Sequence, residues 1–361
     1  MQYSQDCRTH YICKTLSEPV ITGYMSVDVD RQYHSDLSQL KFLNSVNNVS
    51  TYLDLNHNIN AAVKRSTDEN EEKIDLLLKF LKDKNQFLYP KFQTDFITYR
   101  RTLISVMRAV FEMSEPIVIR ACMFKGSIYL CSVMSTQEIT KKKSRNEMEM
   151  KFCAWGYKFE QYSTSDQPHK DPNIQKPVIE NEEFSLYYYA KLGNFKLLYG
   201  AQIDALLTTD TTLEKPKTSD FETNLNYLRN NCFAELKTNR EVQTFRQEKN
   251  FKKYKLLHCW CQCYLAKLEG VYVGFRNDEG IVERLQWFYT QDIVHYCKDE
   301  WSPQIAIDFL DHFLGFVKHS FESYEKHPGP VTLEFQINTN KTFTVTDKCN
   351  NDILPTWYTE G

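Results

Sequence analysis

The residues best suited to chemistry sit in Cys232-Phe233-Ala234-Glu235-Leu236-Lys237-Thr238. Read as a strand, this segment places Phe233, Glu235 and Lys237 on one face and Ala234 and Leu236 on the other, so a carboxylate and an ammonium stand side by side. Earlier in the chain, Tyr199-Gly200-Ala201-Gln202-Ile203-Asp204-Ala205 repeats the pattern, with Gln202 and Asp204 on one face and Ala201, Ile203 and Ala205 on the other. Two neighbouring strands of this kind can share one polar site. Hard divalent cations prefer a few rigid carboxylates and keep positions for water and phosphate oxygens, so the layout suits a Mg²⁺-dependent phosphodiesterase with a lysine beside the reacting water. An isolated E-x-K is ordinarily an exposed ion pair, and the surrounding elements decide between the two readings.

Those elements alternate between strand and helix. Ile21–Val29 reads as a first strand, and Ile74–Leu81, preceded by the acidic run Asp68–Glu72, as an amphipathic helix. A helix is expected from about Arg101 to Met113, followed by a hairpin of Ile117–Phe124 and Ile128–Val133 about a Lys125-Gly126-Ser127 turn. Lys141-Lys142-Lys143-Ser144-Arg145 opens the next element, either as a solvated charged turn or as a phosphate contact beside the cleft. Met148–Tyr162 is rich in helix formers, and Ser163–Asn181, with prolines at 168, 172 and 177, reads as a loop. Phe251–Leu268 is expected to be helical, with Lys255 and Gln262 two turns apart on one face. Val271–Arg276 and Ile281–Phe288 form a hairpin; Trp301–Ser320 is a long helix opened by Ser302-Pro303, and Pro330–Val345 is strand-like. Without internal repeats or a clean linker, the chain reads as a flexible lead-in over residues 1–19 and one α/β domain over 20–361.

Composition narrows the function classes. At 361 residues, 42% hydrophobic and 14% aromatic, the chain has ample core material. A net charge of −3 argues against coating nucleic acid through global positive charge and leaves room for a local basic groove. No stretch of ~18 consecutive apolar residues suggests a membrane span, and the amino terminus lacks a signal-like apolar region, which implies an intracellular protein. Eleven cysteines, an odd number, fit reduced thiols better than a disulfide framework, and the sequons at Asn48 and Asn340 are then accidental. His258-Cys259-Trp260-Cys261-Gln262-Cys263 lacks the separated ligand pairs of a structural zinc site.

In order, the chain offers a helix with Glu160, a strand with Asp204, a strand with Glu235-x-Lys237 and a helix with Gln262. That order resembles the PD-(D/E)xK nuclease superfamily. More specifically, Gly156-Tyr157-Lys158-Phe159-Glu160-Gln161-Tyr162, Leu197-Leu198-Tyr199-Gly200-Ala201-Gln202-Ile203-Asp204, Glu235-Leu236-Lys237-Thr238, Tyr254-Lys255-Leu256-Leu257 with Trp260 and Gln262, Gly274-Phe275-Arg276-Asn277, and Trp357-Tyr358 resemble the DXO family of decapping exoribonucleases. The likeness runs from about Gly23 onward and is densest from Gly156 to Gly280.

The resemblance implies a mixed, bent central β-sheet flanked by helices, and hydrolysis at RNA 5′ ends. The implied reactions are removal of incomplete or NAD caps, pyrophosphate release from 5′-triphosphate RNA and 5′ to 3′ digestion, all in RNA quality control. It implies Mg²⁺ or Mn²⁺, two ions, with Asp204 between them, Glu235 and the Leu236 carbonyl on one and Glu160 on the other. Lys237 would orient or deprotonate the water, and Gln262 would position that water or the scissile phosphate. Arg100, in Phe96-Ile97-Thr98-Tyr99-Arg100, resembles the arginine of the family's W-R-G motif and suits bidentate phosphate binding. Arg31 and Ser185 fall near other substrate contacts. The implied partners are RNA 5′ ends and a 5′-3′ exoribonuclease, with neither DNA nor membrane, in the nucleus and secondarily the cytoplasm.

Two departures stand out. Gln202 occupies a position that carries glutamate in the family, which implies a weaker ligand for the second ion. Arg101 replaces the motif's glycine, and Tyr99 its tryptophan, so the pocket is either narrowed or given a further cation. The family also includes a relative that protects transcripts without cleaving them, so binding of RNA ends or protein partners without hydrolysis is the second reading.

Overall fold

The computed structural model describes residues 14–43, 52–65, 73–88, 91–346 and 353–360. The acidic run at 68–72, the sequon at 48–50 and the first thirteen residues lie outside these. Among the described residues the strands form two mixed sheets. The larger has nine strands, in the order Phe343–Thr346, Val331–Ile337, Ile117–Phe124, Ser127–Val133, Phe96–Tyr99, Phe195–Gln202, Glu183–Leu192, Val20–Val27 and Tyr33–His34. The smaller has seven: Leu53–Asp54, Ile281–Tyr289, Gly270–Arg276, Phe233–Arg240, Ala205–Leu207, Phe42–Leu43 and Thr164–Ser165. Each mixes parallel with antiparallel pairs, and the segment Phe195–Leu207 passes from one to the other. The expected bent, mixed sheet with flanking helices is built this way.

That passage corrects the local expectation at Asp204. The strand expected to carry both Gln202 and Asp204 stops at Gln202, and Ile203-Asp204 is the irregular step before Ala205–Leu207. Buried Ile203 donates its N–H to Phe184 O while Ala205 pairs with Ala234, so each side of the step is satisfied by a different sheet. Gln202 and Asp204 therefore do not share one strand face.

Apolar periodicity explains the helices. Asp75–Asp83 buries Leu76, Leu77, Leu78, Phe80 and Leu81, and the Phe80 ring stacks on Tyr187 with centroids 3.5 Å apart. Pro303–Ser320 begins at Ser302 with proline in its first turn and packs on Arg100–Ala109, which in turn packs on Leu257–Ala266. The helix expected over 251–268 starts as a π-helical turn, Phe251–Leu256, and then continues as α-helix over Leu257–Ala266.

Lys141-Lys142-Lys143 closes a helix, Thr136–Lys143, instead of opening one. Ser135 and Glu138 form a capping box at its start, and the three lysines face the negative end of its dipole. The lead-in is shorter than expected: Leu16 bridges Leu192, and Ser17 N–H donates to Lys191 O at 2.7 Å, tying residues 16–17 to the end of the strand Glu183–Leu192. No described helix is long and apolar enough to cross a membrane.

Candidate active site

The strand Phe233–Arg240 supplies the centre. Alternation puts Glu235 and Lys237 on one face, and Lys237 Nζ donates to Glu235 Oε1 at 2.5 Å, to Leu236 O at 2.9 Å and to Asp204 Oδ2 at 3.3 Å. Asp204 is fixed from behind by the Leu236 N–H, which donates to Oδ2 at 2.8 Å. Three oxygens, two from this strand and one from the irregular step at Asp204, thus converge on one cation.

Two further side chains hold Glu235, whose exposure is 2%. Gln262, on the helix Leu257–Ala266, donates its Nε2 to Oε1 at 2.6 Å, and Arg100 donates to Oε2 at 3.3 Å. Arg100 stands at the first position of its helix, directly after the strand Phe96–Tyr99, and is itself buried. Its other donors go to the carbonyls of Gln202 (2.8 Å) and Gln262 (3.0 Å). The expected bidentate phosphate contact is therefore corrected: this guanidinium holds Glu235 and two backbone segments together.

Electrostatics follow from this packing. Burial opposes ionisation of Glu235, yet Lys237 and Arg100 hold its carboxyl below the usual range. Burial and the nearby Glu235 push Asp204 up to about 6, with Lys237 working against them. Glu160, on the helix Glu147–Ser163, is raised by burial and by Asp204 and Glu235, with Lys237 working against them. Burial disfavours the Lys237 ammonium, but Asp204, Glu235 and Glu160 hold its pKa above the ordinary value.

The donor set fits a hard divalent cation on chemical grounds. Carboxylate and carbonyl oxygens already converge on a positive charge, and Gln262 Oε1 is buried without a hydrogen-bond partner. Among the described residues no three His, Cys, Asp or Glu side chains are grouped closely enough to hold an ion. Of the five expected ligands, Asp204, Glu235 and the Leu236 carbonyl meet at Lys237, Glu160 acts on them electrostatically, and exposed Gln202 ends its strand and lines the neighbouring cavity.

That cavity, of about 1330 Å³, is lined by Arg31, Arg100, Ser185, Gln202 and Gln262 among others. Glu160, Asp204, Glu235 and Lys237 are not in its lining; Gln262 and Arg100 connect it to them. Ser185 pairs across the strands with Gln202 and donates to Glu183 Oε1 at 3.3 Å, and Arg31 bonds Glu183 Oε2 at 2.8 Å and Asn181 O at 2.7 Å. Arg31 and Ser185 thus stand on the cavity wall, with Glu183 as a link that the sequence did not reveal.

Seven arginines and four lysines line this cavity against three carboxylates, so the local basic groove exists despite the net negative charge. Lys142, Lys143 and Arg145 belong to it. Arg108 and His258 belong to it too and were missed. The signal available was spacing: His258 stands one turn before Gln262, and Arg108 two turns after Arg101. Cys259, Cys261 and Cys263 are buried free thiols on the same helix.

A glutamate on a helix, an aspartate at a sheet junction, an E-x-K strand and a glutamine on a following helix, gathered on curled mixed sheets, define a nuclease of the PD-(D/E)xK class. The chain belongs to the family described as RAI1 like PD-(D/E)XK nuclease, whose model matches residues 17–359. It is 28% identical over 358 residues to the Decapping and exoribonuclease protein of Xenopus laevis, covering 94% of this chain and 85% of that one. The Bos taurus protein of the same name is 29% identical over 353 residues, with 95% and 85% covered. The crystal structure of Candida albicans Rai1 in complex with pU5-Mn²⁺ shares the fold, with a TM-score of 0.81 at 20% identity, covering all of this chain and 98% of the other.

Proposed function

We propose that this protein is a divalent-cation-dependent hydrolase of RNA 5′ ends. It removes incomplete or NAD caps, releases pyrophosphate from 5′-triphosphate RNA and digests the exposed RNA in the 5′ to 3′ direction, as part of RNA quality control. The observation that carries this reading is the convergence of Glu235, the Leu236 carbonyl and Asp204 on Lys237 Nζ beside a basic cavity. Relatives named for decapping and exoribonuclease activity, and a fold neighbour bound to a 5′-phosphorylated oligonucleotide with Mn²⁺, support it.

Asp204, Glu235 and the Leu236 carbonyl are the groups that would hold Mg²⁺ or Mn²⁺, with Glu160 completing a second position. Such ions polarise phosphoryl oxygens and make water more acidic. Lys237 orients the attacking water and neutralises charge that builds on phosphorus, because its ammonium already sits among the carboxylates. Gln262 donates to Glu235 and keeps its Oε1 for the water. Arg100 keeps Glu235 ionised and in place. The cavity's arginines and lysines bind the phosphates of the RNA, and a nuclear location with a 5′-3′ exoribonuclease as partner completes the proposal.

Incubation of the purified protein with 5′-triphosphate, unmethylated-cap and NAD-capped RNAs in Mg²⁺ or Mn²⁺ tests it, with products resolved chromatographically. A second reading, an RNA-end binder that protects transcripts, is favoured by two observations: Gln202 removes a carboxylate, and among the described residues no three His, Cys, Asp or Glu side chains group closely enough to hold an ion. Absence of product from every substrate, with RNA binding retained, decides for that second reading.

A further inference from the structure

The helices Arg100–Ala109 and Leu257–Ala266 run past each other with Arg100 bonded to the Gln262 carbonyl and Arg108 bonded to the His258 ring. Arg101 and Arg108, seven residues apart, project from one face of the first helix, and both line the basic cavity with His258. Arg101 is exposed, and its guanidinium makes no hydrogen bond or ion pair among the described residues. Arg108 pairs with Glu112 and His258 through its terminal nitrogens, which leaves its buried Nε without an acceptor.

His258 completes this set through its tautomer. Arg108 Nη1 lies 2.9 Å from His258 Nδ1, and arginine has only donors, so Nδ1 accepts and the neutral ring carries its proton on Nε2. Burial, reinforced by the Arg108 charge, lowers the ring's pKa to about 3 and keeps it neutral at physiological pH. Its Nε2–H finds no acceptor among the described residues. The Arg101 guanidinium and the His258 Nε2–H therefore stand on one cavity wall without acceptors, beside the Arg108 cation whose buried Nε is also unsatisfied, which is the complement of an oxyanion with several lone pairs.

We propose that Arg101, Arg108 and His258 form a second phosphate subsite, one helical turn from Gln262, that holds the phosphate next to the one being attacked. This rests on the RNA 5′-end reading above. The shared chemistry is a phosphate group, supplied either by the polyphosphate tail or by the next phosphodiester of the RNA chain.

The test is binding of 3′-fluorescein RNA pentamers with 5′-hydroxyl, 5′-monophosphate or 5′-triphosphate ends, read by anisotropy in EDTA across a salt series. Competition by uridine triphosphate separates the two phosphate sources. Arg101→Ala and His258→Phe should each weaken the phosphorylated pentamers at least about tenfold, and Arg101→Ala should flatten the salt dependence by roughly one charge. His258→Gln, which retains an N–H donor, should stay within about threefold of wild type. A loss confined to uridine triphosphate assigns the subsite to the polyphosphate tail, and one confined to the monophosphate pentamer assigns it to the RNA chain.

Wild-type binding of all the RNAs by both Arg101→Ala and His258→Phe overturns the subsite. Arg101 is exposed, so its variant decides should His258→Phe fail to fold. Hydrolysis by wild type, measured separately in Mn²⁺, distinguishes failure of the subsite from failure of the hydrolase reading: either can be lost while the other stands.

Discussion

The Phe159 ring lies against the bare backbone of Gly274, where a Cβ would stand 2.5 Å from Cε2. Gly274 is on the strand beside the one carrying Glu235 and pairs with Thr238, and Phe159 immediately precedes Glu160. The missing side chain lets the Glu160 helix press onto the sheet, which brings Glu160 to the cluster. Gly274→Ala should lift that helix, costing about 1–3 kcal/mol of stability and lowering kcat by at least tenfold. Thermal melting and single-turnover rates check this; a stable variant of unchanged rate would mean that Glu160 is not placed by this contact.

Glu235 accepts from Lys237, Gln262 and Arg100 at once. Glu235→Ala should abolish hydrolysis while RNA binding through the cavity persists. It leaves buried Arg100 without its carboxylate and Lys237 with Asp204 alone, so stability should fall by roughly 3 kcal/mol without loss of the native circular dichroism. Full activity in this variant would remove the mechanism.

Proton competition should govern metal binding. Asp204 is held near 6 by burial and by Glu235, so its carboxyl is largely protonated at pH 5 and ionised at pH 7.5. Only the ionised form favours a cation, and the raised Glu160 carboxyl acts with the same sign. Mn²⁺ affinity, measured calorimetrically, should therefore rise at least tenfold between these values. Equal affinity at both would exclude Asp204 as a ligand.

Gln202→Glu adds a carboxylate at the end of its strand, facing the cavity next to the cluster. The Mn²⁺ concentration for half-maximal rate should drop severalfold, and the rate at low metal should increase. An unchanged or lower rate would show that position 202 does not face the ion.

Much of this was present in residue order. Strand alternation alone put Glu235 beside Lys237, because successive side chains on a strand point to opposite faces and only alternate residues can meet. Helical periodicity found the elements bearing Glu160 and Gln262, and the residue motifs pointed to the family. The same logic failed at Asp204, since it assumes an unbroken strand. The break at Ile203-Asp204, which carries the chain into the second sheet, is satisfied by Phe184 on one side and Ala234 on the other, both distant in sequence.

Residue types and local periods thus singled out the candidate side chains and, except at Asp204, the helix or strand that presents each. Tertiary structure alone decided that Arg100 would anchor Glu235, that Gly274 would seat Phe159, and that scattered arginines and lysines would line one cavity. Local patterns record only neighbours within a turn or a pleat, whereas burial, charge pairing and the shape of a cavity arise where segments distant in sequence come into contact.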